Sequence, residues 1–150
     1  MEITHFEFGK TEDDQTVEGF QISNQNNYSL NVINWGATLI SFEGPDKNSH
    51  VEELTLGFDT FSEYEQFSPY FGSTVGRVAN RINDGKFSMD GKDFQLEKNQ
   101  MGIDHLHGGS KGISKVIWQI APHLDRDQGS IVCSILSPNG DQGYPGNMDI

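Results

Sequence analysis

Two segments of the sequence place polar side chains among small residues, a pattern that suits ligand binding. The first runs from Gly72 to Ile82 and carries Arg77, Asn80 and Arg81. Arginine donates several hydrogen bonds, and the asparagine amide both donates and accepts. This set suits the hydroxyl groups and ring oxygen of a sugar. The alternative is that both arginines pair with some of the 22 Asp and Glu side chains, since surface ion pairs are common and weak.

The second segment, Asp104 to Gly109, contains His105 and His107. Histidines two positions apart face the same way only in a β-strand. Such a pair binds metal, transfers protons or belongs to a hydrogen-bond network, and the residues alone leave these roles open. The glycines after His107 permit close approach of backbone or ligand.

Other site signatures are missing from the sequence. The residues after His107 include no nearby Glu, and no later His-carboxylate set completes the ligands that a zinc site requires. The glycines from Gly72 to Gly76 lack the Gly-Lys-Ser/Thr of a phosphate loop, and no Gly-x-Ser-x-Gly occurs. The sequence therefore predicts no metal site and no serine nucleophile.

Charge and composition limit the partners. The 150 residues suit one domain, and 10 basic against 22 acidic side chains give a net charge of −12. Nucleic acid and anionic membrane surfaces both require a basic footprint, so neither is an expected partner. A neutral ligand is compatible with this surface.

Targeting and cysteine signals favour a reducing compartment. No apolar run is long enough for a membrane span, and the N-terminus lacks a secretory pattern. Cys133 is the single cysteine and lies in an apolar run, so we interpret it as a buried, unreactive thiol. The prediction is a cytoplasmic protein.

The elements that must position these residues are mostly strands. Asp90-Gly91 between alternating segments predicts a tight hairpin of 87–89 with 92–96. The segment 62–66, before Pro69, predicts one short helix. Further predicted strands include 30–32, 39–42, a pair formed by 116–120 and 131–136, and an earlier strand around Phe20 and Ile22. Short strands at this spacing predict an all-β sandwich or barrel.

The end of the chain is unusual. Residues 137–147 form a turn-rich loop, and the sequence stops soon afterwards at Ile150. Since loops lead to further elements, we expect the chain to be interrupted here.

The sequence resembles the N-terminal part of the aldose 1-epimerases, also called galactose mutarotases. The combination of Gly-Arg-x-Ala-Asn-Arg-Ile with Leu-His-Gly-Gly is specific, and the matches keep their order along almost the whole chain. The matching segments are Asn34–Leu39, Leu56–Asp59, Tyr70–Gly72, Val75–Ile82, Gly85–Phe87, Asp90–Lys92, Asn99, His105–Gly109 and Gly143–Asn147.

This resemblance implies an antiparallel β-sandwich, of which residues 1–150 form the N-terminal part of a single domain. It implies interconversion of the α and β anomers of free aldoses such as galactose or glucose, without metal or cofactor. Asn80, Arg81 and His107 then contact the sugar. His107 takes an auxiliary catalytic role, and His105 supports His107 or the fold.

The main acid and base of the family are missing here. The resemblance implies an acid histidine in a later Asn-His-x-Tyr-Phe motif and a glutamate base beyond it, and neither occurs. We therefore expect the N-terminal portion of a true epimerase, completed by a C-terminal part on the same or another chain. The alternatives are a non-catalytic carbohydrate-binding homologue and an epimerase-like protein for a different sugar, such as a phosphorylated one.

Overall fold

Strands and turns dominate the computed structural model, which describes residues 1–67, 70–126 and 128–150. The described strands are β1 (Glu2–Lys10), β2 (Thr16–Ser23), β3 (Ser29–Ile33), β4 (Thr38–Pro45), β5 (Val51–Glu53), β6 (Arg81–Ile82), β7 (Lys86–Met89), β8 (Lys92–Gln95), β9 (His105–Leu106), β10 (Gln119–Leu124), β11 (Gly129–Ser134), β12 (Leu136–Ser137) and β13 (Met148–Asp149). The helix α1 spans Phe61–Phe67. The chain forms two compact units, Met1–Ser73 with Ile117–Cys133, and Thr74–Val116 with Ser134–Ile150.

The first unit is built on an antiparallel sheet in the order β1-β2-β3-β4-β5. Its core contains Val17 and Ile33, both fully buried, and the Phe61 and Tyr64 side chains of α1. Residues three apart on a helix share a face, so the two rings pack together against the sheet. The predicted strands around Phe20, at 30–32 and at 39–42 are confirmed as β2, β3 and β4.

The helix α1 begins where its sequence provides a cap. The backbone N–H and the hydroxyl of Thr60 donate to the Glu63 carboxylate at 3.1 and 2.6 Å. This is one half of a capping box, and it satisfies a donor that the first turn leaves unpaired. The helix predicted at 62–66 is confirmed; Pro69 lies outside the described residues.

The second unit contains the predicted hairpin. Asp90 and Gly91 take φ values of 53° and 72°, as a tight turn that matches the strand twist requires. Phe87 on β7 lies opposite Phe94 on β8, and their rings stack with centroids 5.0 Å apart. Beside this hairpin, β6 pairs with β9 and places the candidate ligand-binding residues.

The other predicted pair is confirmed with changed boundaries. β10 and β11 pair, but β10 begins at Gln119, since Ile117 forms an isolated bridge with Trp35 instead. β11 ends at Ser134, since Leu136 and Ser137 pair with β13 instead. Residue 127 of the connecting turn lies outside the described residues. The sequence patterns did not predict the strands β1, β5, β6, β9 and β13.

The structure can be compared with the sequence predictions for a membrane span and for Cys133. None of the described helices is long and apolar enough to cross a membrane. Cys133 is partly exposed rather than fully buried as expected, because it lies on the two-stranded sheet β10-β11. Burial of the thiol nevertheless raises the pKa of Cys133, which keeps it largely protonated.

Candidate functional site

The short pairing of β6 with β9 brings the two motif segments together. Arg81 lies opposite Leu106, and Ile82 lies opposite His105. Just beyond this ladder, the backbone N–H of His107 donates to the carbonyl of Asn80 at 3.0 Å. Asn80 and His107 take left-handed φ values of 63° and 50°. Both residues therefore lie at the same end of the β6-β9 ladder, where their backbones meet.

The His107 ring is fixed by a second hydrogen bond to the same residue. The backbone N–H of Asn80 donates to Nδ1 of His107 at 3.1 Å. A backbone N–H can only donate, so Nδ1 must be the unprotonated nitrogen. The neutral imidazole then carries its proton on Nε2, and Nε2–H is the ring's hydrogen-bond donor.

The protonation state of His107 follows from its surroundings. Burial lowers the pKa of His107 below its ordinary value of 6.5, and the positive charge of Arg81 lowers it further. Protonation of Nδ1 would also remove the hydrogen bond from Asn80. The ring is consequently neutral at physiological pH.

Arg81 is exposed but held by two amide side chains. Its Nη1 donates to Oδ1 of Asn80 at 2.9 Å, and its Nε donates to Oε1 of Gln100. Arg81 therefore pairs with amides rather than with a carboxylate, which was the alternative that its sequence context left open. Asn80, Arg81 and His107 form one connected cluster.

The strand β9, which directly precedes His107, is held in place by Asn99. The Asn99 amide nitrogen donates to the Leu106 carbonyl at 2.9 Å, and its oxygen accepts from the Leu106 N–H at 2.7 Å. Asn99 thus supplies both hydrogen bonds that a neighbouring strand would otherwise make. It belongs to the segments that resemble the family, but no pattern in the residues around it predicts this role.

His105 does not share a site with His107. His105 is fully buried, and its Nδ1 lies 2.8 Å from the carbonyl of Glu97. Since β9 ends at Leu106 and His107 turns to a left-handed φ, the two rings occupy different environments. The two rings therefore do not share one face of a strand. His105 supports the fold, and no group of three potential metal ligands occurs within residues 1–67, 70–126 and 128–150.

Arg77 has a structural role, unlike Arg81. Its Nε and Nη2 donate to the hydroxyl and carbonyl oxygens of Ser137, both at 2.9 Å, and Nη2 also reaches the Pro138 carbonyl at 2.7 Å. Its Nη1 donates to the Pro145 carbonyl at 2.8 Å. The guanidinium therefore ties the turn-rich loop to the segment that carries Asn80. It also lies 5.8 Å from the ring centre of Tyr144. Burial raises the pKa of Tyr144 to about 12.

The glycines after His107 permit a close backbone approach. Gly108 has a φ of 85°, and a Cβ there would lie 1.5 Å from the carbonyl oxygen of Gly76. Only glycine fits such a contact. The close approach inferred from sequence is therefore made by the protein's own backbone.

A family model and several known proteins match the sequence of this chain. The family model described as aldose 1-epimerase matches residues 18–150. The chain belongs to the aldose 1-epimerase family. Galactose mutarotases of Bos taurus and Homo sapiens are 41% and 38% identical to it over 135 residues, which are 90% of this chain and 38% of each relative. An Escherichia coli aldose 1-epimerase is 36% identical over 119 residues, 79% of this chain and 33% of that protein.

Solved structures of the aldose 1-epimerase type share the fold. Galactose 1-epimerase from Lactobacillus acidophilus superimposes with a TM-score of 0.84 at 24% identity, covering 99% of this chain and 42% of that one. The GalM/aldose epimerase homologue from C. elegans gives 0.81 at 34% identity, covering 89% and 40%. The predicted antiparallel β fold of the mutarotase type is confirmed. The chain spans well under half the length of these relatives.

Proposed function

We propose that the protein binds a free aldohexose, such as galactose or glucose, at Asn80, Arg81 and His107. It contributes this part of the site to an aldose 1-epimerase that interconverts the α and β anomers. The observation that carries the proposal is the cluster itself. Asn80 and His107 exchange two hydrogen bonds, and Arg81 is fixed beside them. Relatives named galactose mutarotase support the choice of substrate.

The donors of this cluster suit a polyhydroxylated ligand. Because Oδ1 of Asn80 accepts from Arg81, the amide nitrogen of Asn80 is the other terminal atom and can donate. The Arg81 guanidinium and Nε2–H of His107 donate as well. Hydroxyl and ring oxygens of a sugar supply the matching acceptors, and a positive guanidinium stabilises negative charge that develops on a reacting oxygen.

Anomer exchange requires two proton transfers. A general base takes the proton of the anomeric hydroxyl while a general acid protonates the ring oxygen, and the bond from C1 to the ring oxygen breaks. The aldehyde carbon rotates, and the reverse transfers close the ring from its other face. Such paired transfer contributes about 10²–10⁴-fold to the rate. No metal or cofactor takes part in this scheme.

His107 acts as an auxiliary group in this scheme. Its neutral ring donates from Nε2 to an oxygen near the reacting carbon and stabilises the opening ring. The main acid and base, a histidine and a glutamate by the family pattern, are proposed to come from a C-terminal part on the same or another chain. The cytoplasmic location remains a prediction from the sequence.

A second candidate is a carbohydrate-binding homologue without turnover. It is favoured by the low pKa of His107, which makes this ring a donor but a weak source of protons at neutral pH. Arg81 is hydrogen-bonded to amides, and among the described residues no carboxylate pairs with it. No carboxylate base is therefore held beside Arg81 by these contacts, which also favours binding without turnover. The two candidates share the binding site and differ only in the reaction.

Polarimetry of freshly dissolved α-galactose separates them. We expect mutarotation to accelerate when this chain is combined with the remaining part of a relative such as the bovine enzyme. His107→Asn is the informative variant, because its Oδ1 can still accept from the Asn80 N–H and asparagine tolerates a positive φ. It should lower the acceleration about tenfold or more, since one preorganised donor is lost.

The outcomes of this experiment are distinct. Binding without acceleration in the combined protein would favour the non-catalytic candidate. Acceleration by the 150-residue chain alone would show that a base lies among these residues. Preference for galactose 6-phosphate over galactose in a parallel titration would favour a phosphorylated substrate, which the net charge of −12 opposes.

A further inference from the structure

We propose that Gln100 is a further specificity-determining residue, which orients Arg81 and donates a hydrogen bond to a hydroxyl oxygen of the bound aldose. The proposal rests on the proposed function for its ligand. Its orienting part concerns only the protein and is tested separately. Gln100 lies outside both motif segments.

The contact with Arg81 fixes the direction of the Gln100 amide. The Arg81 Nε–H can only donate, and it donates to Oε1 of Gln100. The amide nitrogen of Gln100 is therefore the terminal atom on the other side. Within the described parts of the chain this nitrogen donates to no protein group. Gln100 is partly buried, and its amide nitrogen offers two donor hydrogens beside Arg81.

The hydrogen bonds of Arg81 leave one side of its guanidinium for a ligand. Nε and Nη1 are directed to Gln100 and Asn80. Nη2 makes no hydrogen bond to any other described residue. Together, Nη2 and the Gln100 nitrogen are donors on adjacent side chains. Neighbouring hydroxyl oxygens of a pyranose can accept from such a pair.

Gln100 sits on a backbone that is itself hydrogen-bonded. Its N–H donates to the carbonyl of Asp104 at 3.0 Å, and its carbonyl accepts from the Ile103 N–H at 2.9 Å. The Asp104 carboxylate in turn accepts from the Asp84 N–H at 3.0 Å. The side chain is therefore carried by an ordered turn, which limits the entropy lost when a ligand binds.

Two variants separate the two roles of Gln100. Gln100→Glu keeps an acceptor for Arg81 Nε but lacks the amide donor, whereas Gln100→Leu lacks both. Gln119→Leu, at an exposed position of β10, is the matched control. The measurements are the ¹⁵N NMR signal of the Arg81 Nε–H in sugar-free protein, and the Kd for galactose from a titration of each variant.

We expect the Arg81 Nε–H to be protected from exchange with water in the unmodified protein, in Gln100→Glu and in Gln119→Leu. In Gln100→Leu the exchange should be fast enough to remove its NMR signal. Galactose should bind about three- to tenfold more weakly to Gln100→Glu, which corresponds to one hydrogen bond, and more weakly still to Gln100→Leu. Gln119→Leu should bind as the unmodified protein does.

Three results would overturn parts of this account. An unchanged Arg81 signal in Gln100→Leu would refute the orienting role. An unchanged Kd in Gln100→Glu would refute the contact with the sugar. If the unmodified protein binds no galactose, the proposed function and the sugar contact both fail, while the Arg81 signal still decides the orienting role.

Discussion

Asn80 and His107 hold each other through two hydrogen bonds, one from each backbone N–H. The Asn80 N–H donates to Nδ1 of the His107 ring, and the His107 N–H donates to the Asn80 carbonyl. The first bond selects the tautomer, and the second fixes the backbone that carries the ring. A short two-stranded ladder is thereby enough to orient an imidazole for donation from Nε2.

The protonation of His107 is open to direct measurement. Since burial and the Arg81 charge lower its pKa below 6.5, an NMR titration of the ring should give a midpoint below that value. Arg81→Gln should raise the midpoint partway, because burial remains. His107→Asn assigns the signal, and a midpoint at or above 6.5 in the unmodified protein would contradict this account.

The same pKa shift predicts how stability depends on pH. Between the lowered folded-state pKa and the unfolded value, the unfolded chain binds more protons than the folded chain does. The stability that this pKa difference contributes is therefore fully present above pH 6.5. It is lost as the pH falls from 6.5 through the lowered pKa of the folded state. Urea unfolding at several pH values should show a smaller acid loss in His107→Asn.

Arg77 should matter for stability far more than Arg81 does. Arg77→Ala leaves the carbonyls of Ser137, Pro138 and Pro145 without their charged donor, so we expect a loss of about 3 kcal/mol or more. Arg77→Lys should recover only part of it, since an ammonium lacks the planar fork. Urea unfolding measures both.

The control for this prediction is Arg81→Ala, which removes only exposed contacts to amides. It should cost less than about 1 kcal/mol of stability, as exposed contacts generally do. Equal losses of unfolding free energy in Arg77→Ala and Arg81→Ala would contradict a structural role that belongs to Arg77 and not to Arg81.

These arginines show what the sequence could and could not predict. The spacing identified a segment rich in hydrogen-bond donors, but Arg77 and Arg81 are four residues apart and equivalent in composition. Their roles differ because Arg77 meets Ser137 and Pro145, which are distant in sequence. Likewise, Gln100 became a neighbour of Arg81 only through a turn that carries no recognisable motif.

The reliable predictions were those decided by neighbouring residues. Asp90-Gly91 predicted its hairpin because the required φ values are local. The two histidines would face the same way only on a strand, whereas His107 has already left the strand at a φ of 50°. There its N–H donates to the carbonyl of Asn80, a residue that is distant in sequence.

Gly108 provides a test of the backbone packing beneath His107. Gly108→Ala puts a Cβ 1.5 Å from the Gly76 carbonyl oxygen, so the unit 74–116 with 134–150 should fail to fold natively. Gly102→Ala has a similar φ, 71°, with open space around the added methyl. It should cost only about 1–2 kcal/mol in backbone strain.

Circular dichroism and unfolding curves of the two glycine variants measure this contrast. Native-like unfolding of Gly108→Ala, with a loss no greater than that of Gly102→Ala, would mean that the close approach of Gly108 to Gly76 is not needed.

The most direct test of the account is an NMR titration of the ¹⁵N-labelled chain with galactose, using the open-chain alcohol galactitol as the control. We predict saturable shifts of the Asn80, Arg81 and His107 amides with galactose, little response to galactitol, and binding weakened more than about tenfold by Arg81→Ala. Shifts that avoid these residues, or a Kd unchanged by Arg81→Ala, would contradict a sugar site at this cluster.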